Sequence, residues 1–191
     1  MPLTDAKIVH LETKRLVLRQ WTLSDKAALY QLNSDPEVMA YFPSPLSQTQ
    51  SDDYVQELHN RIEQNGYGFW AVEEKSTGNF IGFVGLNVPK YELPFGPCTE
   101  IGWRLAKNHW GKGYATEAAI SCLDYGFTKL KLDRIHAFTA CVNLPSEKVM
   151  IRLGMSKMSE HFMHPLVPEK SHLCEHVLYC LSKQNWGNKN N

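Results

Sequence analysis

An α/β fold built on a mixed sheet is the architecture this sequence predicts, and three observations carry the prediction. Apolar runs of strand length alternate along the chain with segments whose apolar residues recur at helical spacing. Near the centre, a strand-like run (Ile101, Trp103, Leu105) passes through two glycines, Gly111 and Gly113, into a helix-like one. Hydrophobic residues make up 43% and charged residues 21% of 191 positions, as in ordinary soluble globular chains. No internal repeat, low-complexity tract or Gly/Ser linker divides the sequence. One domain over 1–191, with an ordered core of about 8–184, is expected.

Arg15 to Trp21 alternates, with Leu16 and Leu18 on one face and Val17 and Arg19 on the other, and reads as a strand. Thr22 with Asp25 marks a helix start, and Ala28, Leu29 and Leu32 give that helix its apolar stripe. Asp35-Pro36 opens a short helix ending near Tyr41. Thr49 with Asp52 is the next cap, and the helix it starts (Tyr54, Leu58, Ile62) stops at Gly66. Gly68 to Glu73 and Asn79 to Asn87 are strands joined by a hairpin turn, Lys75-Ser76-Thr77-Gly78. Three prolines, Pro89, Pro94 and Pro97, make 88–97 a loop.

Thr99 to Leu105 is the following strand. Glu100, Gly102 and Arg104 share one face and Ile101, Trp103 and Leu105 the other, and Gly102 points to a bulge or a close backbone approach. After the glycines, Ala115, Ala118, Ala119, Cys122 and Gly126 form a stripe of small residues that lets a helix lie close against a sheet. Glu117, Ser121, Asp124 and Thr128 face away from that stripe. Ile135 to Ala140 is a strand, and Asn143 to Leu153 a helix with Pro145 in its first turn and Gly154 beyond its end. His176 to Leu181 is the last strand, and Gly187 to Asn191 a frayed tail.

The stretch Trp110-Gly111-Lys112-Gly113-Tyr114-Ala115-Thr116-Glu117 organises the chain. Glycines two apart let the backbone turn sharply and approach a ligand, and a helix N-terminus presents unpaired N–H groups to an anion. Two named phosphate loops do not fit. A Walker A loop needs Ser or Thr after Gly-Lys, where Gly113 stands, and a Rossmann fingerprint needs a third glycine where Thr116 stands.

The run from Thr99 to Ala119 resembles the acetyl-CoA-binding motif of the GNAT N-acetyltransferases. Their loop reads Gln or Arg, two residues, Gly, one residue, then Gly or Ala. Trp110, Gly113 and Ala115 fall on those positions, Trp110 replacing the usual Gln or Arg. With the following Thr-Glu-Ala, the chain is similar to the branch that includes the ribosomal-protein N-terminal acetyltransferases, from about Leu11 to about Leu181. The resemblance implies a mixed, mostly antiparallel sheet of six to seven strands flanked by about four helices. The strands ending at Leu105 and Ala140 would splay apart to admit the pantetheine arm of acetyl-CoA. It also implies that backbone N–H groups of Gly111, Lys112, Gly113, Tyr114, Ala115 and Thr116 bind the pyrophosphate. The Lys112 side chain either adds positive charge there or points into solvent. The backbone of Trp103, Arg104 and Leu105 would hold the pantetheine, and Asn143 would contact the coenzyme while capping its helix.

Acetyl transfer from a thioester to an amine needs a held donor, a neutral amine, a hydrogen-bond donor for the oxyanion and a proton for the thiolate. Glu100 lies beside the splay, where the family places a general-base glutamate acting directly or through water. A solvated strand carboxylate is the plainer alternative. Many GNAT enzymes carry a tyrosine four residues before the glycine ending the last helix. Met150 stands there, and a thioether donates no proton. Ser146 is the substitute that the ribosomal-protein branch suggests; otherwise it is a polar first-turn residue. Tyr41, Phe42, Tyr91 and Phe95, with His164 from the 164–173 loop, would line the acceptor side. No dense acidic cluster is present, which favours a peptide α-amine or a small amine with an apolar part over a polyamine or aminoglycoside. A non-catalytic acyl-CoA sensor is the alternative of a different class.

Twenty basic residues balance twenty acidic ones, which argues against nucleic acid or an anionic membrane surface as partner. No run reaches signal-peptide or membrane-spanning length, and five cysteines without a CxxC pair read as reduced thiols, so a cytoplasmic protein is expected. Cys122 and Cys141 read as small core residues. His161, His164, His172 and His176, with Cys174, lack zinc-site spacing, and no metal is expected. A monomer and a homodimer are both open.

Overall fold

The computed structural model describes residues 8–189, so Met1 to Lys7, Asn190 and Asn191 lie outside the described residues. In chain order it contains β1 (Leu11–Glu12), β2 (Leu16–Arg19), α1 (Asp25–Ser34), a 3-10 turn (Val38–Tyr41), α2 (Gln48–Asn65), β3 (Phe69–Glu74), β4 (Asn79–Asn87) and β5 (Glu100–Leu105). A second 3-10 turn (Lys107–His109) precedes α3 (Tyr114–Thr128), β6 (Arg134–Ala140), α4 (Leu144–Arg152), β7 (Ser156–Lys157), β8 (Phe162–Met163), β9 (Glu175–Ser182) and α5 (Lys183–Lys189).

The strands form one mixed sheet in the order β1-β2-β3-β4-β5-β6-β9-β7, with β8 also paired to β9. Among the described residues, nine strands and five α-helices stand where six to seven and about four were expected. The extra strands β1, β7 and β8 have two residues each, too short to carry a periodic pattern. Helix α5 corrects the expectation of a frayed tail from Gly187: Trp186 is 6% exposed and packs on Phe127, and this burial anchors the last turn.

The sheet is antiparallel except where β5 meets β6. Those two run parallel and share a single rung, Glu100 with His136. Beyond it, β5 stays paired to β4 as far as Leu105 and β6 to β9 as far as Ala140, while facing each other without hydrogen bonds. This is the splayed pair, at the strand ends where it was expected.

Helix α3 covers one face of the sheet through its small-residue stripe. A Cβ on Gly126 would lie 2.7 Å from the Ile135 side-chain tip and 3.1 Å from that of Leu86, so even alanine would force those tips to shift. Helices α1 and α2 cover the other face, where Leu29, Leu32, Leu58 and Ile62 are buried. Gly102 makes no bulge: it pairs regularly with Gly85, and its missing side chain instead accommodates the Phe69 ring, 3.0 Å from where a Cβ would be. The register shift lies one strand pair over, between Val72 and Glu73.

Two helix starts differ from expectation. The cap of α2 is Ser47 with Gln50 in a reciprocal capping box rather than Thr49 with Asp52. At α1, Asp25 is itself the first residue, and its carboxylate accepts from the Thr22 amide at 2.8 Å and from Arg19. Among the described residues no helix is long and apolar enough to cross a membrane.

Candidate active site

The strand that carries Leu105 ends in a loop whose geometry is set by two glycines. Gly111 and Gly113 have φ of 72° and 79°, a left-handed conformation that side chains with a Cβ adopt at a cost. Gly113 is the N-cap of α3, which leaves the first-turn amides of Tyr114, Ala115 and Thr116 pointing out of the helix end. Trp110 folds back, its indole Nε1 donating to the Leu105 carbonyl at 2.7 Å, so this side chain staples the loop to its strand. The Tyr114 ring is buried beneath the Arg15 guanidinium, with its hydroxyl on Glu74, and therefore offers the loop only its backbone.

Glu117 does not face solvent as its place opposite the small stripe suggested. It accepts from Thr13 Oγ1 at 2.6 Å, the Arg15 amide at 2.9 Å and Arg15 Nε at 2.6 Å, while Arg15 Nη1 donates to the Lys112 carbonyl at 3.0 Å. Burial alone would push the Glu117 carboxyl up, but these donors outweigh it and hold it below the usual carboxylate range. The β1–β2 pair is thereby tied to both ends of the loop.

At the parting of β5 and β6 lies Glu100. Burial pushes its carboxyl up to about 7, against the opposing influence of an Asn87 hydrogen bond and the Arg61 charge. Asn87 Nδ2 donates to Glu100 Oε1 at 2.7 Å, and Asn87 Oδ1 accepts from Arg61 Nη1. A carboxyl balanced near neutrality and aimed by an amide has the protonation a general base needs. Asn87 and Arg61 were not anticipated. Asn87 stands opposite Glu100 in the β4–β5 register, a relation hidden by the long 88–97 loop, and nothing in the sequence marks Arg61.

The face of β5 that carries Glu100 also carries Arg104, whose guanidinium lies 4.0 Å from the Phe42 ring centroid. Its backbone pairs with Phe83, and Leu105 is committed through its carbonyl to Trp110. Trp103 packs against the core on the opposite face. Of the expected acceptor residues, Phe42 thus reaches β5. Tyr41 closes the first 3-10 turn, half-buried, with no ring or hydrogen-bond contact among the described residues.

Tyr91 and His164 meet, Tyr91 Oη lying 3.2 Å from His164 Nε2. The Leu166 amide donates to His164 Nδ1, which assigns the ring proton to Nε2. Burial, and to a lesser degree the neighbouring His176, brings the His164 imidazole down to about 4, so it is neutral at physiological pH. Phe95, Phe138 and Phe162 surround this pair.

Across the splay, Asn143 caps α4. Its Oδ1 accepts from the Ser146 amide at 3.2 Å and its Nδ2 donates to Thr139 Oγ1 at 2.8 Å. Ser146 is half-buried in the first turn, its amide donating to Asn143 and its hydroxyl without a hydrogen bond among the described residues. Met150 is 1% exposed and packs in the core, so the position of the family's tyrosine is a packing position here.

Burial raises the thiols of Cys98, to about 12, and of Cys122, Cys141 and Cys180, which keeps each protonated. Cys141 is a correction: it is half-buried, with Sγ 3.6 Å from His161 Nδ1. Cys141, His161 and Glu175 place one ligand atom each within 4.8 Å of one another, and His161 and Glu175 already pair at 2.9 Å. They are the group among the described residues that could take a metal ion.

A family model described as an acetyltransferase (GNAT) domain matches residues 15–156. An uncharacterised N-acetyltransferase, p20, of Bacillus licheniformis is 34% identical over 92% of this chain and 97% of its own length. A GNAT-family acetyltransferase from Bacillus anthracis superposes with a TM-score of 0.76 at 26% identity, over 92% of this chain and 99% of that one. A spermidine N-acetyltransferase from Vibrio cholerae, in complex with CoA and spermine, shares the fold at a TM-score of 0.71 and 24% identity, over 92% and 100% of the two chains. With its glycine loop, splayed strands and α3–α4 frame, the chain belongs to the GNAT acetyltransferase family and is an N-acetyltransferase of that type.

Proposed function

We propose that the protein transfers an acetyl group from acetyl-CoA to a primary amine, such as a peptide N-terminal α-amine or a small amine with an apolar part, by direct attack within a ternary complex. The observation that carries this reading is Glu100, a half-buried carboxyl raised to about 7 at the single rung where β5 and β6 part.

The amides after Gly111 hold the diphosphate, and the unpaired edges of β5 and β6 receive the pantetheine arm. Glu100 removes the proton from the ammonium, directly or through water. The amine nitrogen then attacks the thioester carbon, and the C–S bond breaks from the tetrahedral intermediate. Departure of the thiolate is favoured by the N-terminus of α4; it is protonated through the Ser146 hydroxyl or water, which regains its proton from the one that the nitrogen sheds as the amide forms. Burial raises the thiols of Cys98, Cys122 and Cys141, the last despite His161 at 3.6 Å, and thiols held protonated support a path without an acyl-enzyme.

Replacing Glu100 by Gln tests the reading. kcat/KM for amine acetylation should fall by about 10²–10⁴, the usual contribution of a positioned base, while acetyl-CoA binding by calorimetry stays intact. Undiminished turnover in Glu100→Gln would overturn the assignment.

A further inference from the structure

Arg104 is a cation without an anion. Its guanidinium lies between the rings of Phe42 and Phe83, at 4.0 and 5.2 Å from their centroids, and Nη1 donates to Asn33 Oδ1 at 2.6 Å. Nε is buried with no hydrogen-bond partner, and no carboxylate pairs with the group among the described residues. The arginines at 15, 19 and 61 each reach a carboxylate.

Removing a guanidinium from water costs several kcal/mol unless an opposite charge compensates, and an apolar side chain of similar volume would fill the space between two phenyl rings without that cost. Two ring contacts and one amide recover part of it. The unpaired Nε belongs to the Nε–Nη2 edge, one of the edges on which a guanidinium takes a carboxylate through two parallel bonds. Asn33 holds the other side of the group and so fixes the direction in which this edge points.

Position gives the edge a meaning. Glu100 and Arg104 lie on the same face of β5, roughly 13 Å apart along the strand. Gly102 between them contributes no side chain, and the Phe69 ring lies over it. One end of this strand face suits an amine and the other an anion.

We propose that Arg104 binds a carboxylate of the acceptor, so that the substrate is an amino-carboxylate, an amino acid or short peptide, rather than a polyamine. The proposal rests on the acetyl-transfer reading and adds the chemical class of the acceptor. A polyamine would set a second cation against Arg104, whereas an amino-carboxylate matches both Glu100 and Arg104.

The test compares acceptor pairs that differ in carboxylate against primary amide: α-amino acids, ω-amino acids of three to six carbons, and dipeptides. These are assayed with the wild type, Arg104→Lys and Arg104→Met, all in full-length protein. In the wild type the best carboxylate acceptor should have a KM about tenfold or more below that of its amide, with similar kcat, as expected for a charged hydrogen-bonded pair. The ratio should collapse toward one in Arg104→Met and recover in part in Arg104→Lys. Arg104→Met should also melt at or above the wild-type temperature, since it removes a buried unpaired charge, and a role confined to holding Asn33 would lower it. Glutarate added to the CoA-bound protein should raise the melting temperature of the wild type and leave Arg104→Met unmoved. Equal KM for carboxylate and amide, or a ratio unchanged in Arg104→Met, would overturn the proposal. If acetyl-CoA binds and no amine is acetylated, the transfer reading fails, and the glutarate shift alone then decides for or against the anion site.

Discussion

Arg15 closes on Glu117 across 102 positions of sequence, Nε to Oε2 at 2.6 Å, and so binds the first strand pair to the opening turn of the helix behind the glycine loop. Replacing Glu117 by Ala removes three accepted hydrogen bonds and leaves Arg15 without its carboxylate. The loss should be about 2 kcal/mol in urea unfolding, with weaker CoA binding by calorimetry as the first turn loosens. Because the folded carboxyl lies below its ordinary value of 4.5, this contribution is complete above that pH and disappears as the pH falls through the lowered value.

Asn87 donates to the ionised form of Glu100, and Asn87→Ala therefore leaves that carboxyl easier to protonate. The acidic limb of the kcat/KM profile, set near pH 7 in the wild type, should move up by about one unit. A profile unchanged in position would dissociate the limb from Glu100.

The same raised carboxyl has a consequence for stability. A group that binds its proton more tightly when folded stabilises the folded state at low pH and costs stability as the pH rises from 4.5 through about 7. Melting temperature should decline over that window, by the equivalent of about 3 kcal/mol. In Glu100→Gln the decline should flatten.

Gly113 adopts φ 79° at the N-cap of α3, and nothing but the Arg15 tip lies near a Cβ there, so Gly113→Ala tests backbone conformation rather than space. The strain of a left-handed alanine, about 1–2 kcal/mol, should appear as lost stability, and CoA affinity should fall with the displaced amides.

Asn143→Ala removes a helix cap and should cost about 1 kcal/mol by denaturation, with reduced CoA binding. Ser146→Ala keeps the cap and should lower kcat without changing CoA binding if the hydroxyl supplies the thiolate's proton. Changing Cys98 or Cys141 to Ser should leave turnover intact. Loss of activity together with a trapped acyl adduct would refute direct transfer.

The fold was legible wherever a periodic pattern outlasted four residues: every long strand and helix falls within a few residues of its expected place. Two-residue strands carry no period, and α5 depends on Trp186 finding Phe127, a tertiary contact without a local signature. The glycine loop was legible because φ above zero selects its residues. Asn87, Arg61 and Asn33 were not, because each acts through a partner brought near by pairing or packing. Arg104 stood out as a strand residue, but its lack of a counter-ion becomes visible when Phe42 and Phe83 close around it.

The single rung between Glu100 and His136 makes the sheet two blocks, a five-stranded one and a four-stranded one, hinged at a point. On the proposed reading, the amide-bearing arm of the coenzyme serves as the missing strand between them. Empty protein should then exchange the inward amides of 101–105 and 137–140 quickly, and saturating ligand should slow both stretches together. Cofactor supply in the cell would set how long the polypeptide survives as well as how fast it works.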